Sequence, residues 1–86
     1  MRYVAEVRVM LRPVVNDPQG LTVRGALHQL GFAEVTNVRV GKHIEIELDA
    51  PDLAAAQRRV DEMSRKLLAN PVIETFSVEL REAPGT

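Results

Sequence analysis

The sequence predicts an α+β fold in which the elements follow the order β-α-β-β-α-β. Three observations lead to this prediction. Four short runs alternate apolar and polar residues at a period of two, which is typical of half-buried strands. Two further runs repeat apolar residues at helical spacing. The chain has 86 residues, enough for one domain. We expect a four-stranded antiparallel sheet with both helices on one face.

The first half of the chain predicts a strand, a loop and a helix. Residues 3–11 alternate and form the first strand. Asp17 followed by Pro18 marks a helix start, because aspartate caps helices and proline fits the first helical position. The helix covers residues 18–30, and Gly31 ends it. Its apolar stripe, which we expect to face the sheet, consists of Val23, Ala26, Leu27 and Leu30.

The middle of the chain predicts a hairpin. Residues 35–40 are rich in β-branched side chains and form the second strand. Gly41 and Lys42 form a two-residue turn, and residues 43–48 form the third strand.

The last part of the chain predicts a second helix and a fourth strand. Residues 49–52 open the helix, and Asn70 with Pro71 ends it. The fourth strand covers residues 72–80. The helix has an apolar stripe made of Leu53, Ala56, Val60, Met63 and Leu67. Residues 1–82 form a single domain, and residues 83–86 form a frayed tail.

Two helices cover only one side of such a sheet. The covered side takes Val7, Val9, Val38, Val40, Ile44, Ile46, Phe76 and Val78. The open side shows Glu6, Arg8, Met10, Arg39, Glu45, Glu47, Ser77 and Glu79. A solvated face with cross-strand ion pairs and a polar interface with another chain are both consistent with this composition.

Composition limits the classes of function. The chain has no cysteine, which excludes disulfides and thiolate metal sites, and only two histidines. A net charge of −1 favours neither nucleic acid nor a membrane as a partner. We expect a cytoplasmic protein, because neither a signal peptide nor a membrane span is apparent. So small a domain is marginally stable by itself, which favours self-association or docking on a larger partner.

One glycine in the first helix indicates a contact with another chain. A glycine inside a helix costs about 1 kcal/mol relative to alanine. Gly25 lies opposite the apolar stripe, so packing within one domain does not explain it. Another backbone would then approach the helix near Leu21, Arg24, Gly25 and His28. An irregular or rotated helix at this point is the alternative.

No pattern in the sequence predicts catalysis. Glu45 and Glu47 share a strand face, but strand alternation alone places them there. A small acylphosphatase would need an anion-binding loop around Arg12 and a partner such as Asn37. The loop after Arg12 lacks the glycines that such a cradle favours. His43 follows the predicted turn and is a candidate for contact with a partner.

Several blocks of the sequence nevertheless resemble one known family, the PurS family, from about residue 3 to residue 80. The blocks are residues 16–20 (NDPQG), 23–32 (VRGALHQLGF), 38–42 (VRVGK) and 66–74 (KLLANPVIE). The family comprises small subunits of phosphoribosylformylglycinamidine (FGAM) synthase, and the resemblance implies a ferredoxin-like variant fold.

The resemblance also implies a role without chemistry of its own. In such a complex, a glutaminase subunit releases ammonia and a synthetase subunit uses ATP and Mg to convert formylglycinamide ribonucleotide. The small subunit bridges the two, assists ammonia transfer and forms dimers or tetramers, and no cofactor is expected on this chain. An ACT-like module that binds a small metabolite is the alternative. The candidate partner interface consists of Leu21, Arg24, Gly25, His28, Arg39, Lys42 and His43.

Overall fold

The computed structural model describes residues 1–84 and leaves Gly85 and Thr86, part of the predicted tail, outside the described residues. Its elements are β1 (Arg2–Leu11), α1 (Pro18–Gln29), β2 (Gly41–Asp49), α2 (Leu53–Met63), a π-helical turn (Ser64–Leu68) and β3 (Glu74–Glu82). The strands form one antiparallel sheet in the order β2-β1-β3. None of the helices in residues 1–84 is long and apolar enough to cross a membrane.

The α+β class and its antiparallel sheet are confirmed, but the sheet in the described chain has three strands instead of four. Residues 35–40 belong to no strand. The physical reason is that β1 ends at Leu11, so no strand within residues 1–84 lies beside them. The predicted turn is also wrong, because Gly41 and Lys42 lie inside β2, opposite Met10 and Val9.

The core lies between the sheet and α2. β1 is the central strand, and its side chains Ala5, Val7 and Val9 are buried. α2 packs on β1 and β3 and buries Val60 in the same cluster. The edge strands supply partly buried side chains to this cluster: Ile44, Ile46 and Leu48 from β2, and Phe76, Val78 and Leu80 from β3.

The π-helical turn changes which side chains of the second helix face the core. The Ala69 N–H donates to Ser64 O over 2.9 Å, a bond that spans five residues. The extra residue rotates the following chain, so Leu68 and Ala69 pack in the core while Leu67 is exposed. The expected stripe is therefore wrong at Leu67.

The stripe is also wrong at the start of α2, where Leu53 is exposed. The helix begins at this residue, one position after its N-cap Asp52, and its buried side chains are Ala56 and Val60.

α1 lies outside the core. Gly20 is its only buried residue, and the stripe expected to face the sheet is largely exposed, with Val23 41% and Leu30 73% exposed. The radius of gyration is 16.7 Å. A compact domain of this length would have about 12 Å. Helix α1 thus does not cover the sheet, and the molecule is elongated, with a longest extent of 50 Å.

The open sheet face has an acidic row. The strand register places Glu6 opposite both Glu45 and Glu79. Arg8 Nη1 lies 3.1 Å from a carboxylate oxygen of Glu79, and His43 Nε2 lies 3.0 Å from Glu6 Oε1. Like charges directly opposite each other are unfavourable, and the Arg8–Glu79 ion pair offsets part of that repulsion.

Candidate functional site

Residues 17–40, here called the α1 arm, are held together at their two ends by one carboxylate. Asp17 Oδ1 accepts the Gly20 N–H over 2.9 Å and so caps α1. Asp17 Oδ2 accepts the Val40 N–H over 2.8 Å. The hydrogen bonds from Val40 and Gly20 lower the pKa of Asp17 below its ordinary value. The start of the helix is thereby fixed to the start of β2.

A glycine lets the returning chain lie against the helix. A Cβ on Gly20 would collide with the carbonyl oxygen of Val38 and approach the Asp17 carboxylate. Only a glycine therefore allows this close approach of backbone to helix.

The far end of the arm turns on another glycine. Gly31 has a φ of 99°, which an L-residue rarely adopts, and it follows the last turn of α1. The Phe32 N–H then donates to Leu27 O over 3.0 Å. His28 Nε2 lies 2.7 Å from Val35 O, so this nitrogen carries the proton. These bonds direct residues 35–40 back along the helix.

Arg39 fixes the loop between β1 and α1. Its guanidinium donates to three backbone oxygens, at 3.1 Å to Val15, 2.9 Å to Arg12 and 3.3 Å to Leu11. The open sheet face predicted for Arg39 is therefore wrong. Val38 and Val40, predicted for the covered face, instead lie in the returning segment and are half-buried.

The arm exposes several large apolar side chains, with exposed polar residues between them. Four large side chains are at least two-fifths exposed, namely Leu21, Val23, Leu30 and Phe32. Val23 also borders an open groove of about 410 Å³ lined by Pro18, Gln19, Thr22 and Val40. An apolar surface of this kind is typical of a contact with another protein.

The structure brings four of the seven candidate interface residues together. Leu21, Gly25 and His28 are exposed on α1, and nothing lies within 4 Å of a Cβ built on Gly25. Arg24 is half-buried on the same helix, and its Nε is buried with no hydrogen-bond partner among the described residues. The outward position expected for Gly25 is thus the position observed.

The other three candidate residues lie elsewhere. Arg39 is occupied by its hydrogen bonds to backbone oxygens between β1 and α1, described above. Lys42 Nζ lies 3.9 Å from the carboxylate of Glu74 and 3.5 Å from Leu68 O. His43 is on the open sheet face beside Glu6. These three residues do not form one surface with α1.

The side chains described above make hydrogen bonds and ion pairs within the chain. Residues 1–84 contain no cluster of three histidine, aspartate or glutamate side chains that could hold a metal ion. The Arg12 guanidinium donates to Pro71 O over 2.7 Å, and Arg12 thereby helps to fix the chain before β3. The exposed surfaces include the α1 arm, the charged sheet face and the charged outer face of α2.

Three features of the arm were missed at the level of sequence. Asp17 was recognised as a helix cap, but nothing in the sequence indicates its second bond to Val40. The sequence did not indicate the close approach of the returning backbone at Gly20, because a glycine near a helix start can have several structural reasons. The exposure of Leu30 was missed because an apolar stripe does not reveal which protein covers it.

Comparisons with known proteins agree on one family. The family model described as "PurS: Phosphoribosylformylglycinamidine (FGAM) synthase" matches residues 4–82. The PurS subunit of this synthase from Synechocystis is 46% identical over 96% of this chain and 83% of its own length. The corresponding Bacillus subtilis subunit is 42% identical over 93% of this chain and 94% of its own.

The solved structures give the same result. A PurS structure from Bacillus subtilis superposes with a TM-score of 0.83 at 43% identity, covering 93% of this chain and 99% of that one. A chain in the structure of PurLQS from Thermotoga maritima superposes with a TM-score of 0.87 at 30% identity, covering 94% and 99%. With a family model spanning nearly all of its length and relatives matching from end to end, the chain belongs to the PurS family.

Proposed function

We propose that this chain is the non-catalytic small subunit of an FGAM synthase complex in purine biosynthesis, located in the cytoplasm. It joins the glutaminase and synthetase subunits and assists the transfer of ammonia between them. The complex uses ATP and Mg, whereas this chain binds no cofactor. Family membership and the PurLQS structure among its neighbours support the complex.

The observation that carries the bridging role is the α1 arm. The arm exposes Leu21, Val23, Leu30 and Phe32, and its helix contributes little to the chain's own core. Because these apolar side chains lie away from the core, covering them with a partner breaks no packing contact in the core. Their burial stabilises the complex by about 25 cal/mol for each Å² of apolar surface removed from water. The arm therefore favours association, and we include self-association to a dimer or tetramer in the proposal.

Within this proposal, the interface on α1 is formed by Leu21, Arg24, Gly25 and His28. Gly25 allows a partner's backbone to approach, since no atom of residues 1–84 outside the neighbouring helix backbone lies within 4 Å of a Cβ built there. Lys42 and His43 are proposed to contact a second partner from β2. Arg39 acts indirectly by holding the loop that starts the arm.

The test is reconstitution with and without this chain. The synthetase and glutaminase are assayed for FGAM formation, first with glutamine and then with free ammonia. We expect the glutamine-dependent rate to require this chain and the ammonia-dependent rate to persist without it, because free ammonia bypasses the transfer. A full glutamine-dependent rate in the absence of this chain contradicts the proposal.

Co-purification gives a second readout. The three subunits, mixed with glutamine and a nucleotide, should elute together in size-exclusion chromatography. Saturable binding of an amino acid or nucleotide to the isolated chain would instead favour a metabolite-binding module.

A further inference from the structure

The α1 arm is a closed unit that makes little contact with the rest of the chain. Asp17 joins its two ends, and within it His28 Nε2 lies 2.7 Å from Val35 O. Within residues 1–84, α1 packs extensively against no strand and no other helix. A segment with so few buried apolar contacts opens at a small cost in free energy. The position of the arm therefore depends on the bonds at its base.

Arg39 supplies the bonds at the base of the arm. Its guanidinium donates to three backbone oxygens of residues 11–15, over 2.9 to 3.3 Å. Hydrogen bonds from a charged donor are stronger than neutral ones, and the planar guanidinium reaches several acceptors at once. Within residues 1–84, the other hydrogen bonds of the arm stay inside it. Arg39 is thus placed where it sets the angle between the arm and the sheet.

Arg12 extends this junction to the loop before β3. Its carbonyl oxygen accepts from Arg39 over 2.9 Å. Its own N–H donates to Ile73 O over 2.8 Å, and its guanidinium donates to Pro71 O over 2.7 Å. The loop, residues 69–73, also carries Val72, which is 78% exposed. A continuous path of hydrogen bonds therefore joins the arm to a second exposed apolar site.

We propose that Arg39 acts as a latch for the α1 arm. When its guanidinium leaves the three oxygens, the arm rotates as one body, and Arg12 transmits the opening to residues 69–73. The arm keeps its shape in this motion because both bonds of Asp17 lie inside it.

The latch connects two surfaces that partners can cover. Coupling between two sites is reciprocal. A partner that covers Val72 therefore changes the position of the arm, and a partner that covers the arm changes the loop before β3. This consequence rests on the bridging role proposed above, whereas the latch itself does not.

Spin labels measure the position of the arm in the full chain. The chain has no cysteine, so Gln29→Cys in α1 and Arg58→Cys in α2, both at exposed positions, carry the only two labels. The labelled chain is diluted with unlabelled chain, so that distances within one chain dominate. We expect one narrow distance distribution when Arg39 is present. In Arg39→Gln the distribution should broaden, or shift by more than its original width. An unchanged distribution overturns the latch.

Hydrogen exchange distinguishes a rotating arm from an unfolded one. In Arg39→Gln, the protection of the Arg12 amide should fall at least about tenfold, because its bond to Ile73 lies in the junction. The protection of the Val40 amide should change less than about twofold, because Asp17 holds it inside the arm. Unchanged protection at Arg12 overturns the transmission to the loop. An equal loss at Val40 overturns the rotation of the arm as one body.

Two further variants complete the test. Arg39→Lys keeps the charge but loses the planar fork, so it should show the same changes to a smaller extent, and it decides the matter if Arg39→Gln does not fold. Lys42→Gln is the matched control, since it removes the contact with Leu68 O and leaves the junction intact. It should keep the wild-type distance distribution, and an equal broadening in this variant contradicts the assignment to Arg39.

These measurements need no other subunit. A negative result would therefore remove the latch and leave the bridging role intact, since that role is judged by the glutamine-dependent rate of the reconstituted complex.

Discussion

The sheet with α2 and the α1 arm have similar apolar patterns in sequence, yet they use them differently. β1 buries Val7 and Val9 completely or nearly so, and α2 closes over them with Val60. α1 leaves Val23 and Leu30 exposed. An apolar stripe therefore predicts only that one face of a helix or strand will be buried. Whether the cover comes from the same chain or from a partner is a separate matter.

The largest expected effect comes from paired truncations in the two regions. Val7→Ala should destabilise the protein by about 2–3 kcal/mol, because it leaves a cavity in the core. Val23→Ala should cost less than about 0.5 kcal/mol in the monomer. Urea denaturation measures both changes at protein concentrations below the dissociation constant for self-association. Equal losses of unfolding free energy would show that the arm packs on the sheet after all.

The next largest effect is expected where Gly20 approaches the carbonyl oxygen of Val38. Gly20→Ala places a Cβ against Val38 O and should cost about 1–3 kcal/mol, or else detach the returning segment. Limited proteolysis within residues 32–40 detects detachment. The control is Gly25→Ala, which adds the same methyl group where there is open space. If both variants resist the protease like the wild type, the contact does not hold the arm.

Acid should loosen the arm before the sheet. The pKa of Asp17 is lowered in the folded state, so its ionised form contributes stability at neutral pH, above the ordinary value of 3.8. This contribution is lost as the pH falls through the lowered pKa. The protection of the Val40 amide against hydrogen exchange, measured by NMR relative to the intrinsic exchange rate at each pH, should decrease in this range. Asp17→Asn should already show fast exchange at pH 7, and slow exchange in that variant would exclude Asp17 as the anchor.

Gly25 distinguishes fold from assembly. Gly25→Ala should stabilise the monomer by about 0.5–1 kcal/mol, because alanine is the better helix former and meets no clash. Gly25→Leu should leave the monomer folded but impair association with partners. Thermal melting and size-exclusion chromatography of both variants decide this. A lowered melting temperature with unchanged association would contradict the interface.

The smallest effect is expected on the open sheet face. Glu45→Gln removes one charge from the row that faces Glu6 and should change stability by no more than about 0.5 kcal/mol. Salt titration of the unfolding free energy provides the control, since repulsion between exposed charges weakens with ionic strength.

Prediction from sequence succeeded where the signal is local. The alternation in residues 3–11 predicts β1 almost to the residue, and Asp17, Pro18 and Gly31 predict the ends of α1. It failed where the outcome depends on a distant partner. Residues 35–40 have strand-like composition, but β1 ends too early to pair with them. Leu67 fits a helical stripe, but the bond from Ala69 to Ser64 rotates it outwards.

The candidate interface shows the same division. Gly25 is exposed as expected, but the reason was wrong, since the stripe opposite it does not face the sheet and is largely exposed as well. Arg39 was assigned to the open sheet face, but its guanidinium meets three carbonyl oxygens of a loop more than twenty residues earlier in the chain.

The sequence by itself determined the α+β class, the approximate bounds of the helices along the chain and the family. These properties depend on periodicity, capping residues and residue identity, which are read along the chain. Tertiary structure alone decided that α1 leaves the core, that Asp17 joins both ends of the arm and that the N–H groups of residues 36–39 meet no acceptor within residues 1–84. The physical reason is that burial and backbone pairing depend on which segments meet in space, and local patterns do not encode that choice.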